Sequence, residues 1–352
     1  MLLEQIKVQN FRGFKDVSVN NLSRFTLVAG HNDSGKTSLL EAIFMLSGMM
    51  IMDISARINN FRYLPVIKEE DLYSMFYAQE VDREISIRGS FGKGLVRSLT
   101  LKSFTPKTTQ YNPSVGNGGG VQQESLRTSF KQKFSISEYG ERKKSGELTF
   151  LSDSNGVLRE FSRTTEINDW MCLFLPAKNY FNGFENLKSV ILENKDHYIL
   201  QMLQKVDPAI RRLVLVGDKV FVDTGLSHLL PIQMLGDGLV KITNACAAVL
   251  ICRGGGLVCL DEIDNGLHFS AMKDFWFGLT RFASDNDVQI IATTHDYDFL
   301  KAVAGETDPN NRSQFSYIRM VRSLRDGVES VFAYPYDFYQ YASAVESGTE
   351  IR

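Results

Sequence analysis

Residues 30–37 read Gly30-His31-Asn32-Asp33-Ser34-Gly35-Lys36-Thr37, a Gly-x-x-x-x-Gly-Lys-Thr loop. No other stretch constrains the fold as tightly, because such a loop works only between a buried strand and a helix start. The flanks supply both. Arg24-Phe25-Thr26-Leu27-Val28-Ala29 is a buried-strand pattern, and Ser38-Leu39-Leu40-Glu41-Ala42-Ile43-Phe44 reads as the opening of an amphipathic helix. The glycines let successive N–H groups curl toward one anion without a Cβ in the way. The helix, expected from about Ser38, turns its positive end to the same phosphates. Residues Gly30 through Ser38 are therefore the expected phosphate cradle. Lys36 would reach the β- and γ-phosphates, and Thr37 would offer its hydroxyl to Mg²⁺.

A second motif lies at 257–262, Leu257-Val258-Cys259-Leu260-Asp261-Glu262. Four apolar residues read as a buried parallel strand with two carboxylates at its end, where open α/β sheets bind ligands. Asp261 is the expected Mg²⁺ ligand. Glu262, facing the other way, can polarise a water for attack on the γ-phosphate. A third strand, Gln289-Ile290-Ile291-Ala292-Thr293-Thr294, runs into His295. A helix over 269–283 lies between, and such a β-α-β unit brings the two strand ends together. His295 can there hydrogen-bond the γ-phosphate or the attacking water, whereas an isolated histidine is more often a cap or core residue. Leu235-Gly236-Asp237-Gly238 precedes an apolar helix over 239–251. Glycines at a helix start present N–H groups to an anion, although Gly-Asp-Gly alone is a common turn.

The apolar content of 43% over 352 residues fills a core, with room for two domains or one large domain carrying an insertion. A net charge of −2 gives no global attraction to nucleic acid. Cys172, Cys246, Cys252 and Cys259 show no metal-ligand spacing, and the last three sit in apolar runs as reduced core residues. The opening Met1-Leu2-Leu3-Glu4-Gln5-Ile6-Lys7 is too charged for a secretory signal, and the apolar stretch 245–260 is cut by Arg253 and three glycines. The expectation is a cytoplasmic protein with no membrane span.

In this order the blocks resemble the ATP-binding-cassette type of ATPase head. Within it they are similar to the branch of chromosome-maintenance (SMC), RecF and overcoming-lysogenization-defect (OLD) proteins. The resemblance covers residues 1–50 and 225–305. It rests on the opening Ile6-Lys7-Val8-Gln9-Asn10-Phe11-Arg12-Gly13-Phe14 and on 30–37, 235–238, 257–262, Asp264-Asn265-Gly266-Leu267-His268 and 293–295. It implies an α/β P-loop NTPase head, a mixed sheet with flanking helices, carrying a small inserted α+β arm or lid. It implies slow Mg-dependent ATP hydrolysis, with ATP and Mg²⁺ bound. Lys36, Glu262 and His295 would be catalytic, Thr37 and Asp261 would hold the metal, and His295 would be the switch histidine. Gly236, Asp237 and Gly238 would form the signature loop, and 264–267 the turn that couples two protomers. The family mechanism is a homodimer in which each ATP is sandwiched between Lys36 of one protomer and Gly236–Gly238 of the other; assembly beyond a dimer stays open. Two departures stand out. Gly236 replaces the usual signature serine and no glutamine follows, which implies weaker or slower turnover. The glutamine that assists Mg²⁺ could be Gln79, Gln110 or Gln122. By position, Arg12 and Phe14 are the candidates for contact with the base.

Residues 51–224 read as continued head β-subdomain plus an arm or lid. No heptad run survives the prolines and glycines. Segments 84–91, 96–104 and 130–136 alternate as strands, 106–123 is a Gly/Pro loop, 167–175 and 185–204 follow helical patterns, and 214–222 is a hairpin. Lys131, Lys133, Arg142, Lys143 and Lys144 form a basic run, a solvated face before it is a nucleic-acid contact. The tail, 306–352, is rich in aromatics over 331–341 and reads as a last strand and helix packed on the head, or as a partner-docking strip. Residues 296–352 are too few for the nuclease domain that some relatives place there. The implied roles are three: a switch that gates a separate effector, such as a nuclease or toxin, in bacterial anti-phage defence or a toxin system; a RecF-like repair ATPase bound to DNA; or an ATP-gated scaffold with negligible turnover.

Overall fold

Strands that are apolar at every position, without polar alternation, need both faces covered. The computed structural model describes residues 1–352 except 49–53, 63–68, 105–128, 153–157, 164–169, 178–182, 308, 326–327 and 349–352. The chain opens with the hairpin β1 (Leu3–Phe11) and β2 (Phe14–Val19), then β3 (Phe25–Ala29), α1 (Lys36–Ser47), α2 (Ile54–Asn60) and α3 (Glu69–Tyr73). Next come β4 (Ile85–Phe91), β5 (Leu95–Phe104), β6 (Ser129–Glu138), β7 (Glu141–Ser152), β8 (Leu158–Arg163) and β9 (Cys172–Leu175). Helices α4 (Gly183–Leu192) and α5 (His197–Val206) precede a small sheet of β10 (Arg212–Val216), β11 (Lys219–Asp223) and β12 (Leu230–Pro231). Then follow α6 (Asp237–Ile251), β13 (Leu257–Leu260), α7 (Phe269–Asp285), β14 (Gln289–Thr294), α8 (Tyr297–Glu306), β15 (Phe315–Arg325), β16 (Val328–Asp337) and α9 (Phe338–Glu346).

The central sheet has the order β16-β15-β3-β14-β13-β9, parallel except for β16 at its edge. A seven-stranded antiparallel sheet, β2-β1-β4-β5-β6-β7-β8, forms a second layer. Val28, Leu257, Cys259, Ile291 and Ile318 enter a core shared with α1 and this second sheet. Leu27, Val258, Leu260, Ile290 and Ala292 enter the opposite core, filled from helices α4 to α9. The fold is thus α/β, with all parallel strand ends on one rim.

Three expectations change. Residues 172–175, read as the end of a helix, form β9, parallel to β13. A four-residue apolar run fits a helix or a buried strand equally, and the open edge of β13 decides. The helix expected over 185–204 is broken at 193–196 into α4 and α5. Helix α1 starts at Lys36 and is not amphipathic, since Ser38 through Ser47 are all buried between the sheets. Its Glu41 is fully buried and is paired with Arg12 (3.1 Å) and Arg62 (2.6 Å). The strands expected near 84–91, 96–104 and 130–136 and the hairpin at 214–222 form as read. The 106–123 loop, Gln110 and Gln122 lie outside the described residues.

The tail is a strand pair and a helix. β15 runs parallel to β3, from Phe315 beside Phe25 to Arg319 beside Ala29. The Asp337–Gln340 capping box starts α9. The four cysteines are free and buried. Among the described residues no helix is long and apolar enough to cross a membrane.

Gln289 staples the two sheets. Its side chain, fully buried, accepts from Leu3 N (2.9 Å) and donates to Leu3 O (2.8 Å) and Ser23 O (3.0 Å). Gln289→Ala strands these backbone groups. It is expected to lower unfolding free energy by roughly 2–4 kcal/mol in urea titration; a change within error would deny the staple role.

Candidate active site

The phosphate loop is closed by its own lysine. Gly35 caps α1 at φ 95°, and a Cβ there would lie 2.4 Å from the Phe14 ring. Only glycine fits both demands. Lys36 Nζ donates to the carbonyls of Gly30 (2.8 Å) and His31 (2.9 Å), so its ammonium is held across the mouth of the loop. Burial lowers the Lys36 pKa, while Asp261, Glu262 and Asp264 act to raise it. The N-terminus of α1 has no side-chain cap, so its N–H groups remain for an anion. Ser34 Oγ is buried without a partner among the described residues, and Ser38 Oγ accepts from Arg62 (3.2 Å).

Asp261, at the end of β13, is where the loop meets the neighbouring strands. Its carboxylate accepts from Thr37 Oγ1 (3.1 and 3.0 Å) and from Thr293 Oγ1 (2.6 Å). Burial pushes its pKa up against these hydrogen bonds. A hydroxyl and a carboxylate that converge in this way form a hard-oxygen pair of the kind Mg²⁺ prefers. Thr37 and Asp261 would hold that ion.

Glu262 is clamped from both sides. Its N–H donates to Thr293 Oγ1 (2.8 Å), its carbonyl accepts from Lys241 Nζ, and its φ is 46°. A left-handed glutamate is costly and persists only where its surroundings fix it. Its side chain borders an open cleft of about 470 Å³, with Asn32, Asp264, Asn265, Gly266, His295 and Asp296. His295 is exposed there, and Asp296 caps α8 by accepting from Asp298 N (2.7 Å) and Phe299 N (2.9 Å). Three separated motifs thus share one cleft.

Gly236 and Asp237 are exposed at the start of α6, which also lacks a side-chain cap. Gly238 lies against the 264–267 turn: a Cβ on it would stand 2.6 Å from the Gly266 carbonyl oxygen. One turn further on, Lys241 Nζ bridges the carbonyls of Glu262 and Asn265 (3.1 Å to the latter). Burial brings the Lys241 pKa down to about 8 despite Asp264, Glu262 and Asp261. Asp264 Oδ1 is buried without a partner among the described residues.

The structure does not free Arg12 and Phe14 for a base. Arg12 donates to Glu41, to Asn59 Oδ1 (2.7 Å) and to Ser74 Oγ (2.9 Å), and Phe14 is fully buried. Gln79 ends the turn Tyr77–Gln79 ahead of β4. The basic run reads as a solvated face: Lys131 and Lys133 share Glu147 (2.8 and 3.7 Å), and Lys143 pairs with Glu141 (3.0 Å). Lys241, Arg62 and the role of Thr293 escaped sequence reasoning. A lysine inside the apolar helix 239–251 was the one available signal, since a buried cation must find acceptors.

Comparison with known proteins agrees with this geometry. A family model described as "AAA ATPase domain" matches residues 1–205, and one described as "AAA domain, putative AbiEii toxin, Type IV TA system" matches 179–301. The chain is 20% identical to an ATP/GTP phosphatase of Helicobacter pylori over 332 residues, 85% of this chain and 87% of that protein. It is 34% identical to the DNA replication and repair protein RecF of Idiomarina loihiensis over 90 residues, 26% of this chain and 24% of that one. The fold resembles an SMC head crystallised with the C-winged helix domain of ScpA, at TM-score 0.50 and 14% identity, covering 95% of this chain and 98% of the other.

Two substitutions test the site. Lys36→Ala removes the ammonium that spans the loop and should abolish ATP binding in calorimetry; wild-type affinity would refute its role. His295→Ala should slow turnover by about 10² in a phosphate-release assay, the scale of a positioned charge-stabilising or acid–base group. An unchanged rate would make it structural.

Proposed function

We propose, from the premise that this chain belongs to the AAA ATPase domain family, that its ATP hydrolysis drives a dimerisation switch that gates a separate effector protein. The single observation that carries the reading is the bare, exposed α6 N-terminus at Gly236–Gly238, backed against the 264–267 turn.

The chemistry follows from the side chains in hand. The loop N–H groups and Lys36 bind and orient the triphosphate. Mg²⁺, held by Thr37 and Asp261, would neutralise phosphate charge when bound. Glu262 borders the open cleft, where a water can reach it, and takes that water's proton as it attacks the γ-phosphate. His295 donates to the charge that develops on the transferred group. Thr293 keeps Asp261 and Glu262 in register, since its hydroxyl contacts both.

The N–H groups of Gly236–Gly238 then serve a second copy. A γ-phosphate held by one protomer's loop attracts the partner's α6 N-terminus, where N–H groups and dipole are unneutralised. Two-fold symmetry makes two such sites. Hydrolysis removes the shared anion and the contact weakens. The signature lacks a hydroxyl, which accords with slow turnover suited to a switch. Lys241 ties α6 to the Glu262 carbonyl, so the state of the partner's nucleotide is felt at this protomer's own base. We place the switch in a bacterial toxin or anti-phage system in the cytoplasm; the putative AbiEii toxin description over 179–301 supports the toxin setting.

The test is the mass of Glu262→Gln by light scattering. With Mg-ATP it should form a stable dimer, because the binding groups remain and the base is lost; with Mg-ADP it should not. A monomer that holds Mg-ATP would refute the sandwich.

A further inference from the structure

The far end of the chain returns to the phosphate loop and to the β1–β2 turn beside Arg12. β15 lies beside β3 on one side while β14 and β13, which carry His295, Asp261 and Glu262, lie on the other. Past Arg319, paired with Ala29, β15 continues along the phosphate loop. The Met320 carbonyl oxygen stands 2.3 Å from where a Cβ on Gly30 would be. Two residues on, the Arg322 guanidinium lies over the β1–β2 turn, with Nη2 2.8 Å from where a Cβ on Gly13 would be. Gly13 lets the guanidinium approach this closely.

Arg322 is underused in this arrangement. Its ion-pair distances, 3.8 Å to Asp33 and 3.5 Å to Glu329, exceed an ordinary hydrogen bond. Its Nε is buried with no partner among the described residues. The side chain is only 27% exposed, whereas Asp33 is 88% exposed. A guanidinium offers five donors in a fixed fork; here both carboxylates stand at long range and the buried Nε–H is unpaired, a cost that a better-placed acceptor would reduce.

The geometry points to Arg322 as a nucleotide-contacting residue that donates to the α-phosphate. The hydrolytic groups lie on the β13–β14 side of the loop, which places the γ-phosphate there. A triphosphate running across the loop then carries its α-phosphate and nucleoside to the β15 side, toward Arg322. The inference rests on the ATP-binding reading of the loop and extends it to the tail of the chain. Because ADP keeps the α-phosphate, both nucleotides should feel Arg322 equally, and the γ-phosphate chemistry should not.

Calorimetry with Mg-ATP and Mg-ADP tests this on the whole chain. Arg322→Gln should weaken both by the same factor, about tenfold or more, the scale of a charged hydrogen bond. Saturated turnover should stay within about twofold. If Arg322→Gln melts early, Arg322→Lys is measured, with an expected loss of about threefold on both nucleotides because the fork is gone and the charge kept. Measured against Asp33→Asn alone, the double variant Asp33→Asn/Arg322→Gln should lose the same factor that Arg322→Gln loses against the wild type. If Arg322→Gln costs nothing in the Asp33→Asn background, Arg322 only neutralises Asp33, and that overturns the assignment. So does a loss confined to ATP, or unchanged affinity in the variant measured. A wild-type chain that binds neither nucleotide overturns the loop reading as well.

Discussion

The carboxylate of Asp261 is the point through which the phosphate loop, β13 and β14 are held in register. It accepts from Thr37, which belongs to the loop and α1, and from Thr293, which belongs to β14. Three consecutive strands of the central sheet, β3, β14 and β13, are thereby joined by side chains as well as by their ladders. A buried carboxylate with only hydroxyl partners is held at a cost, which is why its pKa is raised. A divalent cation placed among the same oxygens reverses that cost. Thr37 and Thr293 hold the carboxylate where such a cation would meet it.

Around this point the polar groups form a graded set. Glu41, inside α1, is fully buried between Arg12 and Arg62, and Arg62 also donates to Ser38 at the end of the loop. Such a pair stabilises little by itself, since desolvation offsets most of the attraction. What it fixes is geometry: the β1–β2 turn, α1 and the segment after α2 cannot shift independently of the loop. Lys241 does the same on the opposite side, tying α6 to Glu262 and Asn265. The close fit of Gly238 on Gly266 removes any side chain that could cushion relative motion. The 236–238 turn and the Glu262 backbone are thus joined directly, through Lys241 and through the Gly238–Gly266 contact.

Much of this could be read from the chain because phosphate chemistry dictates residue types. A glycine-rich loop before a lysine, an acidic pair after an apolar strand, and a histidine after a second strand each require a strand end, and strand ends share a rim in a parallel sheet. The cleft that joins Asn32, Glu262 and His295 follows from that rule. What could not be read is where local pattern and tertiary context disagree. Residues 172–175 are too short to carry a period, and only the edge of β13 makes them a strand. Glu41 looked like the wet side of an amphipathic helix because pairing with Arg12 and Arg62 leaves no local trace. Arg12 looked available for a ligand for the same reason. Arg322 stood in a strand pattern far from every motif, and its place beside Gly13 exists only once β15 has joined β3.

That last dependence bears on how the site is assembled. Without β15, β3 would be an edge strand, with unpaired backbone groups beside the loop it feeds. The contact of Met320 with Gly30 and the approach of Arg322 to Asp33 both arise from pairing between residues separated by most of the chain. The pairing of β3 with β14 spans nearly as much chain as its pairing with β15, so both walls of the site close against a similar loop-closure cost. A nucleotide that touches both walls would stabilise the completed sheet, because it binds only the completed site. With the tail on one side of β3 and β14 and β13 on the other, occupancy of the loop would favour closure of the central sheet.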